Sequence, residues 1–244
     1  MQQLKVVAII PHVMGAMSVI GSSWIMFEVL RDRKKWHKTY HRLIFVMSFF
    51  DCLSSSAIML ATIPIPRDTP GVYNARGTTA TCTAQGFFAQ LGIIGPMYNC
   101  MLAIYFFLLV GRGVPERRIK TKIEPYMHAT CWFLAFAMGF TLLSMKMFNS
   151  ATLWCWVNDY PPNCEGSLGE PGPIPCERGK HAWLFRWIFY YAPLWLILVL
   201  TGYFMFMLWY KVSDCNGIIL QVLFFLSHTL VMLCHSLLNP HVGQ

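Results

Sequence analysis

The chain has 244 residues, of which 56% are apolar and only 12% are charged. The apolar residues are gathered in long runs, which excludes an ordinary water-soluble domain and indicates a protein that lies in lipid. The formal net charge of +8 could suggest binding to nucleic acid, but the basic residues cluster in short segments between the apolar runs. We therefore expect the lipid bilayer, and no nucleic acid, as a partner.

Six apolar runs are each long enough to cross a hydrocarbon core of roughly 30 Å, which takes about 20 residues of helix. Backbone in lipid must satisfy its own hydrogen bonds, and the runs do not alternate as barrel strands do, so each run predicts a transmembrane helix. The sequence predicts an all-α, polytopic transmembrane bundle that is a single domain over residues 1–244. The predicted helices are about residues 6–30, 43–64, 84–110, 127–148, 182–210 and 218–238.

The first run ends at the basic segment RDRKKWHKTYHR, residues 31–42. A signal peptide is the alternative interpretation of this run, because Lys5 precedes it. We favour a membrane helix, because the run continues for about 25 residues and ends in basic residues rather than at a small-residue cleavage site.

The second run contains Asp51, an ionisable residue well inside the predicted helix. Such a group costs several kcal/mol in the middle of a membrane and rarely faces lipid. Asp51 is therefore either an intramembrane switch or ion site, or a hydrogen-bonded carboxyl of the core, and the sequence leaves both interpretations open.

The third run carries polar side chains along an otherwise apolar span. Gln90 is a candidate for a ligand pocket. Asn99 is a candidate switch residue, although an ordinary hydrogen bond between helices explains it better.

A second basic segment, GRGVPERRIKTKIEPY at residues 111–126, follows the third run. Most Lys and Arg residues near the ends of the runs lie on the same side as this segment and residues 31–42. This positive-inside bias predicts that both segments are cytosolic and that the N-terminus is outside. We expect an integral protein of the plasma membrane.

Two cations lie near the predicted outer ends of the fourth and fifth helices, Lys146 and Arg186. Either their charged groups extend along the helix surface to the membrane interface, or they border a pocket for a small anionic ligand. We keep both as candidate ligand-pocket residues.

Four cysteines fall in the predicted outer loops, namely Cys82, Cys155, Cys164 and Cys176. An even number on the oxidising face is typical of disulfides, but four cysteines allow three connectivities. The long loop at residues 150–181 is then either a flexible linker or a lid held by disulfides.

The last run contains His228 and His235 on one helical face. No further ligand pair accompanies them, so we expect no metal site and interpret them as core or interface histidines. Hydrolase, kinase and zinc motifs are absent from the sequence, so we expect neither an enzyme nor a cofactor.

Several stretches are similar to seven-helix G-protein-coupled receptors. They are HRLIFVMSFFDCLSS entering the second helix, CTAQGFFAQLG opening the third, PMYNCMLAIYFFLLV completing it, and LWCWV in the long outer loop. Together with the short basic inner loops, they resemble the cyclic-AMP-receptor-like group of microbial and algal receptors, which is also similar to the secretin receptors. The resemblance covers residues 1 to about 210.

The resemblance implies a receptor that senses an unidentified small ligand and signals through helix rearrangement to a heterotrimeric G protein. It also implies a disulfide between Cys82 and Cys155, and counting then leaves Cys164 and Cys176 as a second possible pair. Three arginines of the second basic segment become candidates for G-protein coupling, namely Arg112, Arg117 and Arg118.

Some features depart from the receptor pattern and leave other functions open. Only one apolar run follows residue 210, so the chain looks like a receptor truncated after its sixth hydrophobic segment. The third helix ends in VGRGV rather than in an acidic residue, an arginine and an aromatic residue, and the last run has no lysine for a retinal. The alternatives are a transporter or channel subunit, in which Asp51 would line a path, and a fragment that does not signal.

Overall fold

The computed structural model describes residues 2–161, 164 and 174–213. The predicted helix at residues 218–238, with His228 and His235, lies outside the described residues. Five helices in the described part have the length and composition to cross a membrane. They are α1 (Gln2–Arg31, apolar from Ile9), α2 (Thr39–Met59), α3 (Thr79–Gly111), α4 (Glu116–Ser144) and α5 (Ala182–Ser213). The expected all-α, receptor-like bundle is confirmed.

The ends of the helices follow local polar chemistry. A single helical turn, Arg33–Trp36, connects α1 to α2, and Asp32 caps it by accepting a hydrogen bond from the Lys34 amide at 2.9 Å. At the start of α3, Thr78 and Thr81 exchange hydrogen bonds between side chain and backbone, which is a capping box. Each cap satisfies amides that a helix start leaves without partners.

Three of the long helices change their winding locally. α3 contains a 3-10 turn at Leu91–Ile93 and ends in a π-helical turn at Phe107–Gly111. Further π-helical turns occur at Ile119–Ile123 near the start of α4 and at Trp187–Tyr191 in α5. Such wide turns re-aim side chains and are frequent at functional sites.

The bundle is organised around α3. Tyr98 and Leu102 of α3 are fully buried, and the same apolar core includes Leu43 of α2 and Ala135 of α4. α1 packs against α2, and α5 packs against α3. The outer faces are apolar and exposed, as at Phe133, which is what a lipid environment requires. α3 is therefore the central helix of the described part.

A small β-hairpin covers one end of the bundle. Its strands, β1 (Phe148–Ser150) and β2 (Cys155–Val157), pair antiparallel with Asn149 opposite Trp156. Phe148 is fully buried against Gly86 of α3, and a Cβ atom at Gly86 would lie 2.8 Å from the Phe148 ring. Glycine at this position therefore lets the hairpin lie directly on α3.

Two disulfides lie at this end, which we call the disulfide end. Cys82, at the start of α3, is bonded to Cys155 in β2, with 5.2 Å between their Cα atoms, and both cysteines are buried. Cys164 is bonded to Cys176, with 5.1 Å between their Cα atoms. The first pair is the one that the family resemblance implies, and the second joins the two outer-loop cysteines that then remain. The opposite end, which we call the basic end, carries residues 31–42 and 111–126.

We predict that the Cys82–Cys155 bond makes a large contribution to stability. Loss of a native disulfide typically costs about 2–5 kcal/mol, so Cys82→Ala combined with Cys155→Ala should lower the melting temperature of the detergent-purified protein by at least about 5 °C. Cys52→Ala is the control, because Cys52 is a free, half-buried cysteine of α2. Equal melting temperatures for the double variant and the control would contradict the prediction.

Candidate functional site

Gln85 connects three elements at the disulfide end. Its side chain is buried, and its Nε2 atom donates hydrogen bonds to the carbonyls of Ala57 and Ala61, at 2.8 and 2.9 Å. Its Oε1 atom accepts a hydrogen bond from the Cys155 amide at 2.9 Å. The amide thus joins the end of α2, the start of α3 and β2 beside the disulfide. Gln85 was not among the predicted site residues, and polarity inside an apolar run is the signal that could have indicated it.

Gln90 lies between the hairpin and α5. Its side chain is fully buried, its Nε2 atom donates to the Phe189 carbonyl at 3.0 Å, and its Oε1 atom accepts from the Trp156 indole at 2.9 Å. The Trp156 ring stands edge-on to Tyr190, with 4.9 Å between the ring centroids. One N–H and one oxygen lone pair of the Gln90 amide are thus used within the protein.

The cations of the disulfide end include Lys146, Arg178 and Arg186. Lys146 is exposed in the turn after α4, where its backbone is left-handed with a φ of 55°. Arg186 is half-buried in the first turn of α5. Arg178 donates from Nη2 to the Thr83 hydroxyl at 3.4 Å, while its buried Nε atom has no hydrogen-bond partner in the described part of the chain. This end therefore offers positive charge next to the hairpin.

Asp51 lies at the interface of α1 and α2. Its Oδ2 atom accepts hydrogen bonds from the hydroxyls of Ser18, at 2.9 Å, and Ser22, at 2.5 Å. Ser55 in turn donates to the Ser18 hydroxyl at 2.9 Å. The carboxyl is thus hydrogen-bonded by the neighbouring helix, the arrangement expected of a core carboxyl. Asn99, the other predicted switch residue, is half-buried on α3.

The strongest polar contact between helices lies at the basic end. Glu124 of α4 is only 6% exposed. Arg42 of α2 donates to both of its carboxylate oxygens, from Nε at 2.6 Å and from Nη2 at 2.5 Å, and the Thr39 hydroxyl donates to the same carboxylate at 2.8 Å. A bidentate contact between a guanidinium and a carboxylate combines charge with fixed geometry. It ties the start of α2 to α4.

A series of polar contacts leads from this pair into the bundle. The Trp132 indole donates to the Tyr98 hydroxyl at 2.9 Å, and that hydroxyl lies 2.6 Å from His128 Nδ1. An indole N–H can only donate, so the Tyr98 oxygen accepts from Trp132, while the direction of its hydrogen bond with Nδ1 depends on the His128 tautomer. Nε2 lies 3.6 Å from the Glu124 carboxylate. We call the connected residues, Arg42, Glu124, His128, Tyr98 and Trp132, the glutamate network.

Sequence reasoning did not single out this network. Glu124 lies outside the predicted helix at residues 127–148, whereas α4 begins at Glu116. One signal was available, because Glu124 and His128 are four residues apart and therefore lie on one helix face. The arginine of α2 that meets them cannot be identified without knowing which helices are neighbours.

The three candidate arginines for G-protein coupling lie near the glutamate network at the basic end. Arg112, Arg117 and Arg118 are all exposed between α3 and α4. Within the described residues, none of their side chains makes a hydrogen bond or an ion pair. Their charges are therefore accessible to a partner.

Comparison with known families identifies a match over the first part of the chain. The family model described as the slime mold cyclic AMP receptor matches residues 2–164, more than half of the chain. This range contains α1 to α4, the hairpin and the whole glutamate network, while α5 follows it. No curated protein sequence matches the chain.

We predict that Arg42 and Glu124 depend on each other. Removing one partner of a buried ion pair costs about 3–5 kcal/mol, because the other charge is left buried and uncompensated, and the side chains of this pair are only 15% and 7% exposed. Arg42→Met and Glu124→Gln should each lower the melting temperature strongly. The double variant should be more stable than the sum of the two effects implies.

The control is the ion pair between Lys35 and Glu28, whose side chains are each 35% exposed. The same substitutions there, Lys35→Met and Glu28→Gln, should change stability by about 1 kcal/mol or less. The melting temperature in nanodiscs is measured for the single and double variants of both pairs and for the unaltered protein. Simple additivity at Arg42 and Glu124 would refute the coupling.

Proposed function

The chain belongs to the slime mold cyclic AMP receptor family, and we propose that it is a receptor which couples to a heterotrimeric G protein through its basic end. The observation that carries this proposal is the glutamate network. It reaches from the central helix to the surface where Arg112, Arg117 and Arg118 are exposed. The network thus gives the interior of the bundle a physical connection to the coupling surface.

The proposed orientation has the basic end in the cytosol and the disulfide end outside the cell, with the N-terminus outside and the protein in the plasma membrane. The concentration of Lys and Arg in residues 31–42 and 111–126 supports this orientation through the positive-inside rule. The two disulfides support it as well, because such bonds persist on the oxidising side of a membrane.

The proposed ligand is a small anion that binds at the disulfide end, and cyclic AMP, which the family description names, is the first candidate. Its charged phosphodiester suits the cations of this end, Lys146, Arg178 and Arg186. Gln90 joins the hairpin tryptophan to α5, the helix that carries Arg186.

The proposed mechanism is a change of helix contacts at both ends of α3. The disulfide and Gln85 fix the outer end of α3 to the hairpin. Ligand contacts to α5 would change the packing of α5 on α3 and thereby the position of Tyr98 relative to His128. The Arg42–Glu124 pair keeps α2 and α4 together in the present arrangement, and its loss would expose the inner surface.

We predict that the arginines of the basic end are required for coupling. Arg117→Glu combined with Arg118→Glu should reduce agonist-stimulated nucleotide exchange at least about tenfold, because a surface that attracts an acidic partner becomes repulsive. Surface expression should not change. The control reverses two exposed cations at the disulfide end, Arg76→Glu and Lys180→Glu, and should leave coupling intact. Unchanged exchange in the first variant would refute the role of these arginines.

We predict a cation-dependent binding site for cyclic AMP. Arg186→Ala should weaken binding of fluorescent cyclic AMP to the purified protein about tenfold or more, because a charge-assisted hydrogen bond is worth about 1.5–3 kcal/mol. Arg76→Ala removes an exposed charge from the same end and serves as the control. Equal affinities in both variants would place the ligand elsewhere, and absence of binding to the unaltered protein would exclude cyclic AMP.

A further inference from the structure

Two open clefts meet at the basic end, on either side of Trp36 and His37. The first has a volume of about 320 Å³ and lies against the Arg42–Glu124 pair, with Lys120 at its edge. The second has a volume of about 390 Å³ and is lined by Leu30 and Arg33. Trp36 and His37 line both clefts, so the two form one grooved surface at the junction of α1, α2 and α4.

The charge of this surface is positive after its acidic residues are accounted for. Glu124 is paired with Arg42 inside the first cleft. Glu28 is paired with Arg31 and Lys35, and Asp32 caps the short helical turn by accepting from the Lys34 amide. Glu116 accepts from the Thr39 amide at 3.3 Å, so these four carboxylates each have a partner on their own element or on an adjacent helix.

Arg42 of the first cleft is paired with Glu124, but two other cations, Lys120 and Arg33, have no carboxylate partner in the described part of the chain. The Lys120 ammonium donates only to the His37 carbonyl, at 3.4 Å. Arg33 is exposed, and its side chain makes no hydrogen bond or ion pair with the described residues. Two positive charges therefore border one grooved surface, where they are available to an anion.

Apolar surface lies directly beside these charges. Leu30, at the end of α1, is 59% exposed, and Trp36 is 41% exposed. The Trp36 ring packs edge-on against Phe45, with 5.2 Å between the ring centroids, which holds it at the border of the two clefts. Tryptophan is enriched where the hydrocarbon meets the headgroups. The surface therefore combines an apolar wall with cations, as an amphiphilic anion requires.

We propose that the grooved surface binds the phosphorylated headgroup of an anionic membrane lipid. Phosphate oxygens of the headgroup would meet Lys120 in the first cleft and Arg33 in the second, and the acyl chains would run along Leu30 into the bilayer. Basic pockets between helices at the membrane surface bind such headgroups, and a volume of several hundred Å³ suits a molecule of this size. The bound lipid would hold the loop between α1 and α2 against the start of α4, beside the Arg42–Glu124 pair.

The experiment measures binding of a short-chain phosphatidylinositol bisphosphate to the purified full chain in neutral-lipid nanodiscs, without G protein or agonist. Arg33→Ala combined with Lys120→Ala should weaken binding about tenfold or more. Arg112→Ala combined with Lys122→Ala removes the same charge from exposed positions outside the clefts and should change binding less than about twofold. Arg33→Lys combined with Lys120→Arg keeps both charges and should retain binding.

Three results would overturn the proposal. Equal weakening in both alanine double variants would show diffuse attraction rather than a site. Failure of the charge-retaining variant to bind, with an unchanged melting temperature, would show that positive charge at these positions is not what binds the headgroup. Soluble inositol trisphosphate binding as tightly as the lipid would assign the site to a free phosphate compound. The assay contains no G protein, so loss of signalling in the Arg117 and Arg118 variant leaves its outcome unaffected.

Discussion

The fixed position of α3 is the constraint on which the rest of the described structure depends. At its disulfide end, a covalent bond and the Gln85 amide hold it to β2, and Gln85 also holds the end of α2. In its middle, the buried Tyr98 hydroxyl binds His128 of α4. Every neighbouring helix therefore takes its place relative to α3. A water-soluble domain would rely on apolar burial for this, but lipid provides no such drive between helices, so hydrogen bonds and close packing must supply it.

The polar side chains of the bundle are few, and the ones that position helices are satisfied. Gln90 uses both ends of its amide, and Glu124 accepts from Arg42 and Thr39 on both carboxylate oxygens. An unpaired polar group in a region of low dielectric costs about 1–3 kcal/mol or more. Small displacements that stretch these bonds are therefore unfavourable, while an exchange of partners is not. A bundle of this kind resists displacements that stretch these hydrogen bonds.

The sequence was sufficient for the features that depend on composition alone. The apolar runs indicated each of the five helices within the described residues, because hydropathy over about 20 residues directly measures the cost of transfer to lipid. Helix ends were less predictable. α2 begins at Thr39, inside a basic segment, and α4 begins at Glu116, and the Arg42–Glu124 ion pair joins the two helices within these polar extensions. The hairpin strands, only three residues each, gave no periodic signal.

The candidate site was harder to predict because it depends on contacts between distant parts of the chain. Arg42 and Glu124 are separated by more than 80 residues along the sequence, and each looks like one charge among many in a basic segment. Lys146 illustrates the opposite case. It lies within the predicted helix at residues 127–148, but α4 ends at Ser144, so the side chain belongs to an exposed turn beside the hairpin. The turn that ends α4 before Lys146 leaves no signal in the hydropathy of the run, because Met147 and Phe148 continue the apolar residues.

The contacts of Gln90 set the energy scale for switching in the proposed receptor. Moving α5 away from α3 breaks its bond to the Phe189 carbonyl, and moving the hairpin breaks its bond to the Trp156 indole. Each loss costs about 1–3 kcal/mol. A ligand shifts an equilibrium only by the difference between its affinities for the two states, and a difference of about 3 kcal/mol is a factor of more than 100. A single charge-assisted contact to Arg186 falls in the same range, so a small anionic ligand has enough binding energy to exchange one arrangement of α5 for the other.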